Sequence, residues 1–358
     1  MSPLQQEAWP LVAVDANPAT RKVVTGTEAY TRALLPRLAE SGPRLRWVFY
    51  ASRPAPGLGA DLTVLPFGRL WSQGRLAAEL LRRRPALFFA PAHVVPFACP
   101  VPALAVVHDL AFERYPAAYP AAQLAYLRLS TRWAALRCRR LVAVSEATRA
   151  DLVELYSVRP EKVVVVPSGV APPPRAPGHR ALRELGLRPP FVLQVGRVEP
   201  RKNQLTSLAA VERVAGLQLV VAGPVADQEM ASRLRASPRC VLLGPVDDAI
   251  RDALYAGASA LVFPSLYEGF GFPVLEAMSR GLPVVTSRNS SLPEVGGEAA
   301  LYVDDPLDAE GLADQLRRIL EDESLRTRLR RAGRARARLF SWDRCAQRLV
   351  EVIESLVS

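Results

Sequence analysis

The residues best suited to chemistry are two glutamates, Glu268 and Glu276, which flank a turn with two glycines at 269–271. The apolar run 260–263 before the turn is typical of a buried strand, and Pro273 after it fits the start of a helix. Glycines let the backbone approach a ligand, and the N–H groups of a helix start bind anions. The carboxylates would repel a phosphate but can accept hydrogen bonds from sugar hydroxyls. The turn therefore predicts a nucleotide-sugar site.

Two cations follow a second apolar run, 191–195, and could serve the same ligand. Arg197 and Lys202 can neutralise a diphosphate, both in the ground state and as a leaving group gains charge. Surface charge is the alternative explanation. Lys202 is one of only three lysines in a chain that otherwise uses arginine, so a compact point charge has been kept at this position.

In the first half of the chain, His108 ends an apolar run and is followed by Asp109, and Gly26 opens a predicted helix after the first predicted strand. A histidine at a strand end is often only a hydrogen-bonded core residue. Neither Gly26 nor the turn 269–271 belongs to a three-glycine dinucleotide fingerprint, which argues against a dehydrogenase.

The spacing Glu, seven residues, Glu from Glu268 to Glu276 resembles the signature of the family 4 retaining glycosyltransferases, which have the glycosyltransferase B fold. The resemblance extends to 191–203, to His108-Asp109-Leu110, and to 143–146 and 166–170, so that it covers roughly residues 11–340 in the expected order. The segment 91–96 and the His-Asp-Leu strand end look most like bacterial mannosyltransferases of polysaccharide assembly.

The resemblance implies an α/β fold class with two Rossmann-like domains facing across a cleft. The expected divisions are an acceptor-binding domain at 1–172, a nucleotide-sugar-binding domain at 173–340, and a helix at 341–358 that returns to the first domain. The Pro-rich segment 171–178 reads as a stiff linker about which the domains would close. Strands are predicted at 11–15, 47–51, 62–66, 86–90, 104–108, 141–145, 162–167, 191–195, 217–222, 240–243, 261–263 and 283–286.

Carried over residue by residue, the family's pattern implies a catalytic set and a donor-binding set. The catalytic residues would be His108, Glu268, Arg197 and Lys202. The nucleotide-sugar would be bound by Gly26, Arg197, Lys202, Val246, Glu268, Gly269, Phe270, Gly271, Phe272 and Glu276, with Glu276 on the ribose. Asp109 would lie on the acceptor side.

The expected reaction is transfer of a hexose, first of all mannose from GDP-mannose, to a glycan or lipid-linked acceptor. A UDP-sugar donor is the first alternative. An epimerase or phosphorylase of the same fold, or a non-catalytic sugar-nucleotide-binding adaptor, remains open. The chain shows no Asp-x-Asp motif and no paired cysteine or histidine spacing. We therefore expect neither a metal nor another cofactor.

Composition and charge limit the kinds of partner that the chain is expected to bind. The 358 residues carry a net charge of +11, and nearly all the excess lies in residues 1–175, with 22 Lys+Arg against 12 Asp+Glu. This predicts an anionic membrane surface as a partner. Aromatic residues are not interleaved with the arginines, so no nucleic acid is expected. No signal sequence or long apolar run is evident, and four widely spaced cysteines suit a reducing compartment. We predict a cytoplasmic protein, peripheral on the inner face of the plasma membrane.

Overall fold

The computed structural model describes residues 9–21, 26–55, 62–68, 70–173 and 179–357. These residues form two compact units, one made of Met1–Gly169 with Ser341–Ser358 and the other of Val170–Phe340. We call them the N-terminal and C-terminal units. Residues 174–178 of the predicted linker lie outside the described residues.

The N-terminal unit is built on a seven-stranded sheet, with strand order β3-β2-β1-β4-β5-β6-β7 and every neighbouring pair parallel. Its central strands are apolar at almost every position, which is the pattern of parallel strands covered on both faces. The strands are β1 Leu11–Asp15, β2 Arg46–Ala51, β3 Leu62–Val64, β4 Leu87–Ala90, β5 Ala103–Val107, β6 Arg140–Ala143 and β7 Val163–Val165.

Helices join and cover these strands. They are α1 Gly26–Ser41, α2 Ala77–Arg83, α3 Ala111–Arg114, α4 Ala121–Arg137 and α5 Glu146–Tyr156. The N-cap of α5 is Ser145, whose hydroxyl accepts the Thr148 N–H. The last helix of the chain packs on α1, with the ring of Trp342 edge-on to Tyr30 at 5.4 Å between centroids.

The C-terminal unit has a six-stranded parallel sheet of order β10-β9-β8-β11-β12-β13. Its strands are β8 Phe191–Val195, β9 Gln218–Ala222, β10 Cys240–Gly244, β11 Ala260–Phe263, β12 Val284–Ser287 and β13 Leu301–Val303. The remaining helices are α6 His179–Glu184, α7 Gln204–Glu212, α8 Gln228–Ala236, α9 Asp248–Gly257, α10 Phe272–Arg280, α11 Leu292–Gly296, α12 Ala309–Glu321, α13 Glu323–Ala337 and, in the N-terminal unit, α14 Trp342–Val357.

In each sheet, the strand order reverses once, between β1 and β4 in one unit and between β8 and β11 in the other. Loops leave such a point in opposite directions and open a crevice at the carboxyl ends of the strands, where open α/β sheets bind ligands. The predicted fold class of two Rossmann-like α/β domains is confirmed. Among the described residues, no helix is both long and apolar enough to cross a lipid bilayer.

Candidate functional site

The crevice of the C-terminal unit lies between the loop after β8 and the loop after β11. Backbone hydrogen bonds join the two loops, since the Leu266 N–H donates to the Arg201 carbonyl at 2.8 Å. The side chain of Asn203, a residue with φ of +57°, donates to the carbonyl of Pro264 at 3.0 Å. The predicted Lys202 and Glu268 are therefore brought together from positions 66 residues apart in the chain.

Lys202 and Glu268 form an ion pair with little solvent exposure, 12% and 9% of the two side chains. The ammonium of Lys202 lies 2.5 Å from Oε1 of Glu268, and the hydroxyl of Ser265 donates to the same oxygen at 2.5 Å. Oε2 of Glu268 lies 3.5 Å from the guanidinium of Arg201. One carboxylate oxygen is thus held by two donors, while the other has the longer contact.

The charges of this cluster support one another against burial. Burial by itself raises the pKa of Glu268, but Lys202 and Arg201 outweigh it and hold that pKa below its usual value. Burial lowers the pKa of Lys202, and the charge of Glu268 opposes that effect. The carboxylate of Glu268 is therefore ionised at neutral pH and can accept hydrogen bonds from hydroxyl groups.

Arg201 is a member of the cluster that the sequence did not single out. Its guanidinium donates to the Tyr267 carbonyl at 2.6 Å and to Glu199 at 2.6 Å. It therefore fixes the peptide immediately before Glu268. Arg197, predicted as a partner of Lys202, is about half exposed, and its guanidinium lies 3.9 Å from Glu199.

The loop after β12 holds the backbone of Glu268 from both sides. The N–H of Glu268 donates to the hydroxyl of Ser290 at 2.9 Å, and the carbonyl of Glu268 accepts from the hydroxyl of Ser291 at 2.9 Å. Ser290 has a φ of +45°, which is uncommon for a residue with a side chain. The structure makes these two serines supports of the predicted site.

The helix α10 starts directly after the glycine turn. Its N-cap is Gly271, with a φ of +102° that a side chain would strain, and an added Cβ would lie 3.0 Å from Leu292. The ring of Phe270 is buried and packs edge-on against Phe272 at 5.1 Å. Gly269–Phe272 thus lead from Glu268 into a helix start, where the positive end of the helix dipole favours an anion.

Glu276 lies beyond the first turn of α10. The helix begins at Phe272, and no acidic residue lies in its first turn, so Glu276 is not placed there by an interaction with the helix start. The carboxylate accepts instead from the hydroxyl of Tyr255 at 2.8 Å. Burial by itself lowers the pKa of Arg251. The negative charges around Arg251, that of Glu276 foremost, outweigh burial and raise this pKa. Glu276 is therefore oriented by α9, ready to accept further hydrogen bonds.

Three neighbouring strands of this sheet end in glycines with positive φ: Gly196, Gly223 and Gly244. A Cβ on Gly223 would lie 2.0 Å from the carbonyl oxygen of Gly196, so the backbones can approach only without it. Val246 follows the last of these glycines and is partly buried, just before α9.

The N-terminal unit has its own group of polar residues at the carboxyl edge of β1, β4 and β5. Asp15 ends β1 and is buried, and burial raises its pKa to about 7. Burial lowers the pKa of His93 to about 4, and its Nε2 is buried with no hydrogen-bond partner among the described residues. In the sequence, His93 is only part of the segment 91–96 that resembles mannosyltransferases, and Asp15 does not stand out as a site residue.

His108 follows β5, and its Nε2 lies 2.7 Å from the Pro91 carbonyl oxygen. A carbonyl only accepts, so Nε2 carries the hydrogen. Burial lowers the pKa of the ring, which makes the neutral form dominant and leaves Nδ1 as an acceptor. Tyr30 lies edge-on to the ring at 4.7 Å. Asp109 accepts the Ala111 N–H at 3.0 Å, so the Pro91 carbonyl rather than Asp109 holds the imidazole.

Gly26 is the first residue of α1 and is exposed. Gly26 lies at the start of a helix that follows β1, and Phe272 lies at the start of a helix that follows β11. Both strands border the point at which the strand order of their sheet reverses. Within the ranges that the structure covers, no group of three His, Cys, Asp or Glu side chains could hold a metal ion.

Comparison with known proteins identifies both units. Residues 180–336 match the family described as "Glycosyl transferases group 1", and residues 24–172 match "Glycosyltransferase Family 4". The O-antigen chain mannosyltransferase B of Escherichia coli is 30% identical over 269 residues, which cover 71% of this chain and 70% of that protein. The chain belongs to glycosyltransferase family 4.

Other relatives of this family 4 glycosyltransferase differ more in coverage. The MMP alpha-(1->4)-mannosyltransferase of Mycolicibacterium hassiacum is 35% identical over 231 residues, covering 61% of this chain and 54% of that protein. The solved structure of the Anabaena protein HepE in complex with UDP-glucose has a TM-score of 0.76 at 17% identity, covering 96% of this chain and 99% of that one. The structural likeness confirms the glycosyltransferase B fold, and the protein is a glycosyltransferase enzyme.

Proposed function

We propose that this glycosyltransferase is retaining and moves mannose from GDP-mannose to a glycan or lipid-linked acceptor. The observation that carries the donor site is the Lys202–Glu268 pair, which lies at the strand-order reversal of the C-terminal unit beside the start of α10. Cations, a helix start and an ionised carboxylate are what a diphosphate linked to a sugar requires.

Each group then has a role in donor binding. Arg197, Lys202 and the backbone N–H groups of Gly269–Phe272 meet the diphosphate. Glu268 accepts hydrogen bonds from the hexose hydroxyls through the oxygen that Lys202 and Ser265 do not hold. Glu276, oriented by Tyr255, accepts from the ribose hydroxyls. Val246 borders the nucleotide base.

The N-terminal unit supplies the acceptor side. Neutral His108, with Nδ1 as an acceptor, contacts a hydroxyl of the donor sugar, and Asp109 and Gly26 line the acceptor and phosphate regions. In the transfer step, the bond between the anomeric carbon and the diphosphate oxygen breaks, and that oxygen keeps the electron pair. The acceptor oxygen bonds to the same face of the anomeric carbon, and its proton passes to the leaving diphosphate.

Charge stabilisation in this step comes from side chains. Arg197 and Lys202 offset the charge that develops on the leaving diphosphate, which is the work a divalent cation does in other transferases. We therefore propose transfer without a metal ion. Full activity after dialysis against a chelator supports this proposal, and activity that is lost and then restored by Mn²⁺ overturns it.

Mannose is favoured because the two relatives compared above are named as mannosyltransferases. A UDP-sugar is the second candidate, since the structural neighbour HepE was solved with UDP-glucose. The basic excess of residues 1–175 supports a lipid-linked acceptor on the cytoplasmic face of the membrane. An epimerase or phosphorylase would convert the activated sugar without an acceptor.

The test is product analysis with GDP-mannose, UDP-glucose and ADP-glucose, each with and without a lipid-linked saccharide fraction. Transfer from GDP-mannose only when acceptor is present, with the α-anomer as product, supports the proposal. Preference for a UDP-sugar changes the donor, and an inverted anomer refutes retention. Glu268→Gln, which keeps the shape of the side chain without its charge, serves as the inactive control.

A further inference from the structure

The helix α4, Ala121–Arg137, has an exposed face that is unusually apolar. Tyr126, Leu129 and Leu136 are 41%, 55% and 78% exposed, although a surface helix ordinarily turns polar residues outward. These positions and Trp133 follow one another at spacings of three, four and three residues, so they form one stripe along the helix. We call this stripe the α4 face.

The side of α4 opposite the α4 face is the side that packs on the core of the N-terminal unit. Ser130, Thr131 and Ala134 are buried on the inner side, and Leu124 and Leu127 pack against the core of the N-terminal unit. The helix thus already has an apolar contact with its own unit. The leucines of the α4 face form a second apolar surface, and such surfaces on otherwise polar proteins mark interaction sites.

The apolar surface continues beyond the helix. Phe97 is 38% exposed, and its ring packs edge-on against Trp133 at 5.6 Å between centroids. The indole N–H of Trp133 donates to the Pro96 carbonyl at 3.1 Å, which holds the two aromatic rings together. Leu70, 72% exposed with a φ of +65°, precedes the turn in which Gln73 accepts the Phe97 N–H.

The charge of α4 indicates what the face contacts. The helix carries Arg128, Arg132 and Arg137 and no acidic residue. Arg132 is exposed and lies one helical turn from both Leu129 and Leu136. Arg128 lies one turn before Arg132 on the same flank and is 2.9 Å from Glu113. Leucines and tyrosine bordered by arginines are the composition of a helix that lies in a membrane interface.

We propose that the α4 face, together with Phe97, docks this protein onto an anionic lipid bilayer. Leu129 and Leu136 enter the boundary between head groups and acyl chains, Tyr126 lies at head-group level, and Arg132 meets lipid phosphates. A second copy of the chain is a poorer partner, because two such helices packed face to face would oppose like charges with no acidic residue to offset them.

This inference goes beyond the transfer reaction, and it is tested without donor or acceptor. The full chain is sedimented with vesicles of phosphatidylcholine containing a quarter phosphatidylglycerol, and with vesicles of phosphatidylcholine alone. We expect binding to the anionic vesicles that weakens as salt is raised. Leu129→Glu with Leu136→Glu should reduce vesicle binding at least tenfold, and Arg132→Glu alone at least about fivefold.

Matched controls come from the C-terminal unit. Leu307 and Leu339 are 61% and 54% exposed, and Arg328 and Arg331 are exposed on α13. The variants Leu307→Glu with Leu339→Glu, and Arg328→Glu with Arg331→Glu, should bind vesicles as the wild type does. Nucleotide-sugar binding by every variant checks folding separately from vesicle binding.

Four results would overturn the proposal. They are no binding of the wild type to anionic vesicles, wild-type binding by both α4 variants, equal loss of binding in the control variants, and a wild-type dimer that the α4 variants convert to monomer without vesicle binding. If the protein fails this test but transfers mannose, the proposed function stands. If it binds vesicles as expected but does not transfer mannose, the docking proposal stands.

Discussion

The ammonium of Lys202 lies 2.5 Å from Oε1 of Glu268, although the two residues lie in loops that follow different strands of the C-terminal sheet. The contact spans the point at which the order of the strands reverses, between β8 and β11. Lys202, which we propose binds the donor diphosphate, therefore also neutralises a buried carboxylate. We expect stability and donor binding to depend on the same pair.

Removing either member of this pair should destabilise the C-terminal unit. A buried charge that loses its partner costs about 3–5 kcal/mol in the free energy of unfolding, whereas removing both charges costs less. We expect Lys202→Met and Glu268→Gln each to be destabilising, and the double variant to lose less than the sum. All five tryptophans lie in the N-terminal unit, so hydrogen exchange of β8 and β11 is the suitable measurement. Additive losses would contradict the pairing.

The two serines that hold the Glu268 peptide should affect catalysis more than stability. Ser290→Ala and Ser291→Ala each remove a hydrogen bond, worth about 1 kcal/mol, that keeps Glu268 in place. We predict a fall in kcat/KM of about tenfold for each, with a fall in thermal midpoint of only about 2–4 °C. Ser279→Ala, which removes a hydroxyl bonded to the Glu276 carbonyl within α10, is the control. Equal effects of all three variants would argue against a positioning role.

The nitrogen of His108 that faces substrate can be determined by substitution. Asparagine places a polar atom near the position of Nδ1, and glutamine near that of Nε2. Because Nε2 is bonded to the Pro91 carbonyl, we expect His108→Asn to retain at least tenfold more activity than His108→Gln. Burial lowers the pKa of this histidine, so wild-type kcat/KM should be level above pH 6.5 and fall in acid. Greater activity in the glutamine variant would contradict this orientation.

Asp15 should make the stability of the N-terminal unit depend on pH. Its pKa is raised from 3.8 to about 7 in the fold. The folded state therefore holds the proton more tightly, and this contribution to stability, fully present below pH 3.8, is lost as the pH rises through 7. Asp15→Asn should stabilise the unit by about 2–4 kcal/mol at pH 8 and by little at pH 4.

Tryptophan fluorescence during urea unfolding at both pH values measures the Asp15 effect, since all five tryptophans belong to that unit. The exposed Glu40, changed to Gln, is the control and should leave the pH dependence of unfolding as it is in the wild type. A wild-type pH dependence in Asp15→Asn would show that this carboxyl group is not the cause.

Most of the fold could be predicted because parallel strands covered on both faces are short apolar runs. Each of the twelve predicted strands is present, with ends that differ by at most a few residues. The strand β13, Leu301–Val303, was not predicted. The stretch 308–339 forms two helices, α12 and α13, because the side chain of Asp322 caps the second one by accepting the Leu325 N–H.

The site was predictable only where a residue's type and spacing define its role. Lys202 and Glu268 stood out because a rare lysine and a carboxylate beside a glycine turn suit a ligand. Arg201, Ser290 and Tyr255 did not stand out, because their roles depend on hydrogen bonds to distant positions: Tyr267, Glu268 and Glu276. Such contacts exist only once the loops after β8, β11 and β12 have come together.

The central claim is that the C-terminal unit binds a nucleotide-sugar through Glu276 and the residues around Glu268. It is tested most directly by calorimetric titration of GDP-mannose, with UDP-glucose and ADP-glucose for comparison, into the wild type, Glu276→Ala and the exposed control Glu310→Ala. We predict binding of GDP-mannose by the wild type and the control, weakened at least tenfold in Glu276→Ala. Equal affinity in Glu276→Ala, or no binding of any nucleotide-sugar, would contradict the claim.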